Sequence, residues 1–294
     1  MLTDNMRGAL LMMASMTAFT INDTFMKILV SEASTFQMIF LRGLLTTAAT
    51  GCIAWWMGAL HLRIPNGDRA LVALRVLAEI GAAYFFMTAL VHMPLANVSA
   101  ILQSLPLVVT LAAALFFGEK LGWRRMLAIL IGLCGVLLIV RPGTEGFTIY
   151  SIYALISVGC VTLRDLVTRR MTGATHSMLI TFTTALGVTV FFGLGSFGVE
   201  WVPLSPGQNL MLLAAAVMVI VGYISSVMVM RVGEISFVAP FRYTSLVCAL
   251  ILGWLVFGDW PVPLTFLGAG IVVGSGVFML YREEQLRRRA AAGH

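Results

Sequence analysis

Eight ionisable side chains interrupt stretches that are otherwise apolar or small: Asp23, Lys27, Arg42, Arg75, Glu79, Arg164, Asp165 and Arg242. In "TINDTFMK", residues 20–27, Asp23 and Lys27 stand four residues apart, one helical turn, where they can pair directly on one face. A charge at the centre of a lipid-facing helix costs about 2.5 to 3.5 kcal/mol on insertion scales, so each of the eight must face protein or water and find a partner. The chemistry open to such groups is narrow. A carboxylate can take up a proton, a guanidinium can bind a solute's charge, and an ion pair can hold two helices until it is broken. Glu79, in "VLAEIGAAYFFM", is nearest the middle of its run; it could recognise a solute cation, accept a coupling proton, or neutralise Arg75 one turn earlier. "VAPFRYTSL" puts Arg242 between Phe241 and Tyr243 just after Pro240, whose missing N–H loosens the first turns of a helix. A cation, two rings and a hydroxyl suit a planar heteroaromatic or carboxylate-bearing solute.

The surrounding chain explains why these groups stand out. Its 294 residues are 60% hydrophobic and 11% charged, where a soluble domain carries about 25% charged residues, so the expectation is an all-α integral membrane protein. Apolar runs give ten spans near 8–30, 36–57, 70–90, 95–117, 122–140, 148–168, 176–197, 208–230, 236–257 and 263–281. The first run is too long for a signal-peptide core and is read as a span. Cys52, Cys134, Cys160 and Cys248 fall in apolar runs at unrelated spacings and read as small packing residues; no His pair has metal-ligand spacing. The net charge of +6 sits mostly at segment ends, which points to orientation in a bilayer and not to nucleic acid. With the N-terminus inside, thirteen of the nineteen Lys and Arg fall on the cytoplasmic side and only Arg141 in an outer loop, so both termini are expected in the cytoplasm.

The chain repeats itself. "PLANVSAILQSLPLVVTLAAALFFGEK" (94–120) and "GEISFVAPFRYTSLVCALILGWLVFGDW" (233–260) share a small-residue entry, an apolar run and a Phe-Gly-acid ending, with Phe117-Gly118-Glu119 over Phe257-Gly258-Asp259, an offset of 140. At nearly that offset "NDTFMK" lies over "RDLVTR", so Asp23 answers Asp165 and Lys27 answers Arg169. Five spans in each half force the halves to insert with opposite topology, a pattern found in secondary transporters with a substrate site between the halves. The expected divisions are 1–142 and 148–281 for the two five-span repeats and 282–294 for a basic cytoplasmic tail.

These residues resemble the drug/metabolite transporter superfamily of the EamA type. The resemblance covers essentially the whole chain, through the two five-span halves, "LPLVVTLAAALFFGEK" and the Gly-rich "GLCGVLLIVRPG". It implies a carrier of small organic metabolites in the bacterial cell inner membrane, with no ATPase domain and no bound cofactor. The partners expected are a small-molecule substrate and the lipid bilayer, with a homo-oligomer left open. Where many relatives have an uncharged pair, this chain has Asn22-Asp23, and Leu246 stands where the ninth span usually has Pro. Asn22, Asp23 and the Phe-Arg-Tyr of the ninth span look more like the branch containing uptake carriers for S-adenosylmethionine or riboflavin. The alternative is an exporter of amino acids or toxic metabolites; a membrane-embedded enzyme would instead cluster His, Asp or Ser near one face.

The expected substrate-binding or gating residues are Asn22, Asp23, Lys27, Arg42, Glu79, Tyr84, Gln103, Arg164, Asp165, Arg242 and Tyr243. Asp23, Lys27 and Arg42 form one charged network in the outer half, with Lys27 as the partner of Asp23; Arg164, Asp165 and Arg169 form its counterpart toward the cytoplasm. The competing reading of both networks is a set of static ion pairs. Gln103 and Arg242 are expected to line the cavity.

Overall fold

In hydrocarbon, a backbone N–H or C=O without a partner costs several kcal/mol, so each long apolar run closes its own hydrogen bonds as a helix. A computed structural model gives the structure, and it describes residues 4–59, 64–118, 122–142, 148–172, 175, 177–232 and 238–292. The helices are α1 (Asp4–Glu32), α2 (Thr35–Trp56), α3 (Asn66–His92), α4 (Leu95–Leu102), α5 (Leu105–Phe117), α6 (Trp123–Val140), α7 (Ile149–Arg170), α8 (Ser177–Ser196), α9 (Pro206–Val232), α10 (Thr244–Phe257) and α11 (Pro263–Ala292). Among the described residues there is no strand. Nine segments, counted among those residues, are apolar and long enough to cross a bilayer, with Leu95–Phe117 and Ala239–Phe257 each taken as one. The 29 residues of α1 reach about 43 Å, also enough to span, although Asp4, Arg7, Asp23 and Lys27 interrupt its apolar character. The protein is an all-α, ten-span membrane protein.

The outer surface agrees with that. All six tryptophans, Trp55, Trp56, Trp123, Trp201, Trp254 and Trp260, are exposed, which a soluble domain would not tolerate but a bilayer interface favours. Cys52 and Cys134 are exposed too, so these two face outward and do not fill the interior as their apolar setting suggested.

Two spans are broken at equivalent places. The fourth divides at Gln103 and Ser104, because Pro106 in the first turn of α5 has no N–H to continue the α4 ladder. The ninth begins with a 3-10 turn, Ala239–Tyr243, around Pro240, as the proline predicts. Gln103 and Tyr243 stand one repeat apart, and the amide of Gln103 donates to the hydroxyl of Ser245, so the two breaks meet. Glu119 and Lys120, residues 233–237 of the second repeat copy, and His61 and His176 lie outside the described residues.

Packing joins the halves throughout. The closest helix pairs are α1 with α9, α3 with α7, α6 with α11 and α2 with α8, and α4 also packs on α10. Exchanging the halves turns α1 on α9 into α7 on α3 and leaves the other pairs as they were. This is the contact pattern of an inverted repeat. The α6–α11 crossing is made by glycines: a Cβ on Gly135 would lie 2.8 Å from the Gly268 carbonyl oxygen, and one on Gly268 would lie 2.6 Å from that of Gly135. Only residues without a side chain allow that approach.

Candidate functional site

A polar cavity of about 260 Å³ lies between α2 and α3 of the first half and α7, α8 and α9 of the second. Its charged lining is Arg42, Arg75, Glu79, Arg164 and Asp165, with Tyr223 from α9. Desolvation penalises every one of these charges, so their partners decide whether they are tolerable. Arg164 is held by two carboxylates: its Nη1 lies 3.1 Å from Glu79 Oε2, and its Nη2 lies 2.9 Å from Asp165 Oδ1. Arg42 Nη1 donates to Asn22 Oδ1 at 3.1 Å, and Asn22 Nδ2 donates to Asp23 Oδ1 at 2.9 Å, a relay from guanidinium through amide to carboxylate. Arg75 differs from both, since its Nε donates to Thr184 Oγ1 at 3.3 Å and its Nη1 to Thr168 Oγ1.

Threonines complete the wall. Arg42, Thr46 and Thr50 recur every fourth residue on α2, which places them on one helix face, and Thr181, Thr184 and Thr189 come from α8. Each of these hydroxyls donates to the carbonyl four residues earlier, at 2.7 to 3.0 Å. With the proton directed into the helix, the lone pairs of Thr46, Thr50 and Thr181 are left for the cavity, while the Thr184 oxygen also accepts from Arg75 Nε and the Thr189 oxygen is bonded to Thr47 Oγ1 at 2.8 Å.

At the end where α1 finishes, side chains tie the two halves together. The Gln37 side chain, 1% exposed, donates to the Val202 carbonyl at 2.7 Å and accepts from the Val202 N–H at 3.0 Å, pinning α2 to the segment before α9. Phe36 packs on Phe192 and Tyr84 with ring centroids 5.4 and 6.1 Å apart. Behind them Met26, Leu29, Met38, Leu90 and Leu95 form a buried cluster. Toward the other end, the Asp68 carboxylate, 2% exposed, accepts from Thr172 N at 3.2 Å, from Thr172 Oγ1 at 2.6 Å and from Thr175 Oγ1, tying the start of α3 to the segment after α7.

Set beside the sequence expectations, Arg42, Glu79, Arg164 and Asp165 do line one cavity, and Asn22 and Asp23 join it through Arg42. Glu79 turns to Arg164 and forms no ion pair with Arg75. Lys27 corrects the expectation most clearly: it does not pair with Asp23. Its ammonium donates to the Met93 carbonyl, lies 3.9 Å from Asp259 Oδ2 and sits 4.8 Å from the centre of the Phe257 ring. The free carbonyl at the end of α3 and the acid after α10 offer a desolvated cation three kinds of partner at once, while Asp23 is engaged by Asn22. On the other half, Arg169 lies over the Phe117 ring at 5.5 Å. Lys27 on Phe257 and Arg169 on Phe117 are the same contact one repeat apart. The two expected charged networks therefore divide differently: their inner members share the cavity, and their outer members grip rings at opposite ends.

Gln103, Arg242 and Tyr243, also expected among the binding or gating residues, do not line this cavity. Gln103 is buried against Ser245, Arg242 is exposed, and Tyr243 is buried beside Gly276 with its hydroxyl lacking a hydrogen-bond partner among the described residues. Tyr84 packs in the aromatic cluster above the cavity. Sequence reasoning missed Tyr223, which stands among Glu79, Arg164, Arg42 and Arg75, and it missed the threonine rows. The four-residue spacing of Arg42, Thr46 and Thr50 was the readable signal.

A family model described as the EamA-like transporter family matches residues 6–141 and again residues 148–282. This chain belongs to that family. Its EamA-like relatives include a riboflavin transporter of Vibrio cholerae, 28% identical over 217 residues, which are 74% of this chain and 73% of that one. An S-adenosylmethionine uptake transporter of Rickettsia felis is 22% identical over 284 residues, 94% of this chain and 92% of the relative. A pseudopaline exporter of Pseudomonas aeruginosa is 25% identical over 281 residues, 93% and 96% of the two chains. A solved crystal structure with 18% identity superposes with a TM-score of 0.60 over 91% of this chain and 96% of that one, a likeness of fold. The EamA-like chain is thus a multi-pass membrane transporter.

Proposed function

We propose that this transporter is a secondary carrier that takes a heteroaromatic or nucleoside-like metabolite, of the riboflavin or S-adenosylmethionine kind, into a bacterial cell by alternating access. The observation that carries the reading is the charged cavity walled jointly by both halves, with Arg42 and Glu79 from one and Arg164 and Asp165 from the other. A site shared in this way opens to alternate sides when the halves rock. The relatives named for riboflavin and S-adenosylmethionine uptake support the cargo class. At about 260 Å³ the cavity is below the roughly 300 to 1,000 Å³ of small-molecule sites, so a flavin-sized solute requires the halves to part. The excess of Lys and Arg at one set of segment ends supports an orientation with both termini cytoplasmic in the inner membrane. In that orientation the Gln37–Val202 end is the outer one.

Proteoliposomes containing the protein should accumulate labelled riboflavin or S-adenosylmethionine faster than empty vesicles. No flux and no exchange of either solute would sink the cargo assignment. Export is the second reading, favoured by the exporter relative aligned along 93% of the chain. Loaded cells that lose label faster when the protein is expressed, with no gain in uptake, would establish export instead.

A further inference from the structure

We propose that Arg75 is the docking point for an oxyanion of the transported solute, a carboxylate or phosphate, and that the threonine rows bind hydroxyl or N–H donors of the same molecule. The inference rests on the carrier reading and narrows its cargo. Three guanidiniums line the cavity, and their engagement differs. Arg164 holds Glu79 and Asp165, and Arg42 reaches Asp23 through Asn22. Arg75 hydrogen-bonds only the neutral hydroxyls of Thr184 and Thr168. Glu79 and Asp165 are its electrostatic neighbours, but neither makes an ion pair with it.

The geometry points to an unfilled role. A guanidinium has five N–H donors in a planar fork; two bonds to threonine fix the plane of Arg75 and leave the rest of the fork for the cavity. Nη2 carries neither of these bonds, so the guanidinium keeps N–H donors that match the oxygens of a carboxylate or phosphate. Meanwhile the hydroxyls of Thr46, Thr50 and Thr181 spend their protons on helix carbonyls, so the wall offers acceptors and one prepared cation. A solute with an anionic end and hydroxyl, amine or ring N–H groups satisfies both sets. A solute without an anionic group leaves Arg75 hydrogen-bonded to neutral threonines, with Glu79 and Asp165 as electrostatic neighbours but no ion pair, which disfavours neutral cargo relative to its acidic counterpart.

The test uses the purified full-length protein and matched probes that differ by the oxyanion: adenosine against adenosine monophosphate for the phosphate arm, and indole-3-acetamide against indole-3-acetate for the carboxylate arm. The oxyanion member of at least one pair should raise the midpoint of thermal unfolding by about 2 °C or more where the neutral member does not. Arg75→Gln should abolish that difference, and Arg75→Lys, which keeps the charge but not the fork, should weaken oxyanion binding at least five-fold without changing the response to the neutral probe. Equal response to both members of each pair, no response to any, or an undiminished preference in Arg75→Lys overturns the proposal. Should Arg75→Gln fail to fold, the wild-type pairs and Arg75→Lys still decide it. Failure of riboflavin and S-adenosylmethionine uptake with a retained oxyanion preference removes the cargo assignment alone; uptake with no such preference removes this inference alone.

Discussion

Arg164 on α7 reaches Glu79 on α3 at 3.1 Å, an ion pair that crosses from one half of the chain to the other at the wall of the cavity. Replacing Glu79 by Gln removes the inter-half charge contact, but Asp165 remains 2.9 Å from Arg164, so the loss should be well below the roughly 3 to 5 kcal/mol of a fully orphaned buried charge. The expected outcome is a folded protein whose unfolding midpoint falls by a few degrees and whose uptake falls about ten-fold or more. If Glu79 also carries the coupling proton, the pH dependence of initial uptake rates flattens in the variant. An unchanged pH profile would remove Glu79 from that role.

Asp23 is hydrogen-bonded to Arg42 through Asn22 and is its electrostatic neighbour, and Asn at position 23 can still accept the Asn22 amide hydrogen. Asp23→Asn should therefore insert and fold normally while leaving Arg42 without its nearest negative charge. Transport is expected to fall at least ten-fold at an unfolding midpoint within about 2 °C of wild type. Wild-type uptake kinetics would show that the carboxylate has no part in the transport cycle.

The pairing of Lys27 makes a prediction that separates two partners. A double-mutant cycle in thermal unfolding between Lys27→Met and Asp259→Asn should give a small coupling, about 0.5 kcal/mol, because Asp259 is partly exposed and the separation is 3.9 Å. The same cycle between Lys27→Met and Asp23→Asn should give none. A larger coupling to Asp23 than to Asp259 would restore the within-helix pair.

Gly135 and Gly268 are in reciprocal contact, each with the space for its Cβ occupied by the other's carbonyl. Gly135→Val should push α6 from α11 and lower stability by about 1 to 3 kcal/mol, read as a lower unfolding midpoint and earlier aggregation on size exclusion. Gly270→Ala, where an added Cβ meets nothing within 4 Å, is the control and should behave as wild type.

The spans were legible because about twenty apolar residues in a row have one physical use, and the offset of 140 was legible because duplicated helices keep their endings. The division of the fourth span was signalled by Pro106, yet an apolar run on both sides reads as one continuous helix. Partner choice is where sequence fell short. Four-residue spacing favoured Asp23 for Lys27, but the carbonyl of Met93 and the acid of Asp259 come from distant parts of the chain and are brought together only by packing. The threonine rows were hidden for another reason: a threonine that bonds its own helix passes for an apolar residue, and only the cavity shows that its oxygen has a second use.

A cation lies on a phenylalanine ring at each end of the molecule, Lys27 on Phe257 and Arg169 on Phe117. If the halves rock as proposed, each end must lift a cation off a ring to open, and the end at Lys27 must also release the Met93 carbonyl and Asp259. The shared ring contact gives the two gates a common element, and the added partners of Lys27 give the outer one a lock of its own.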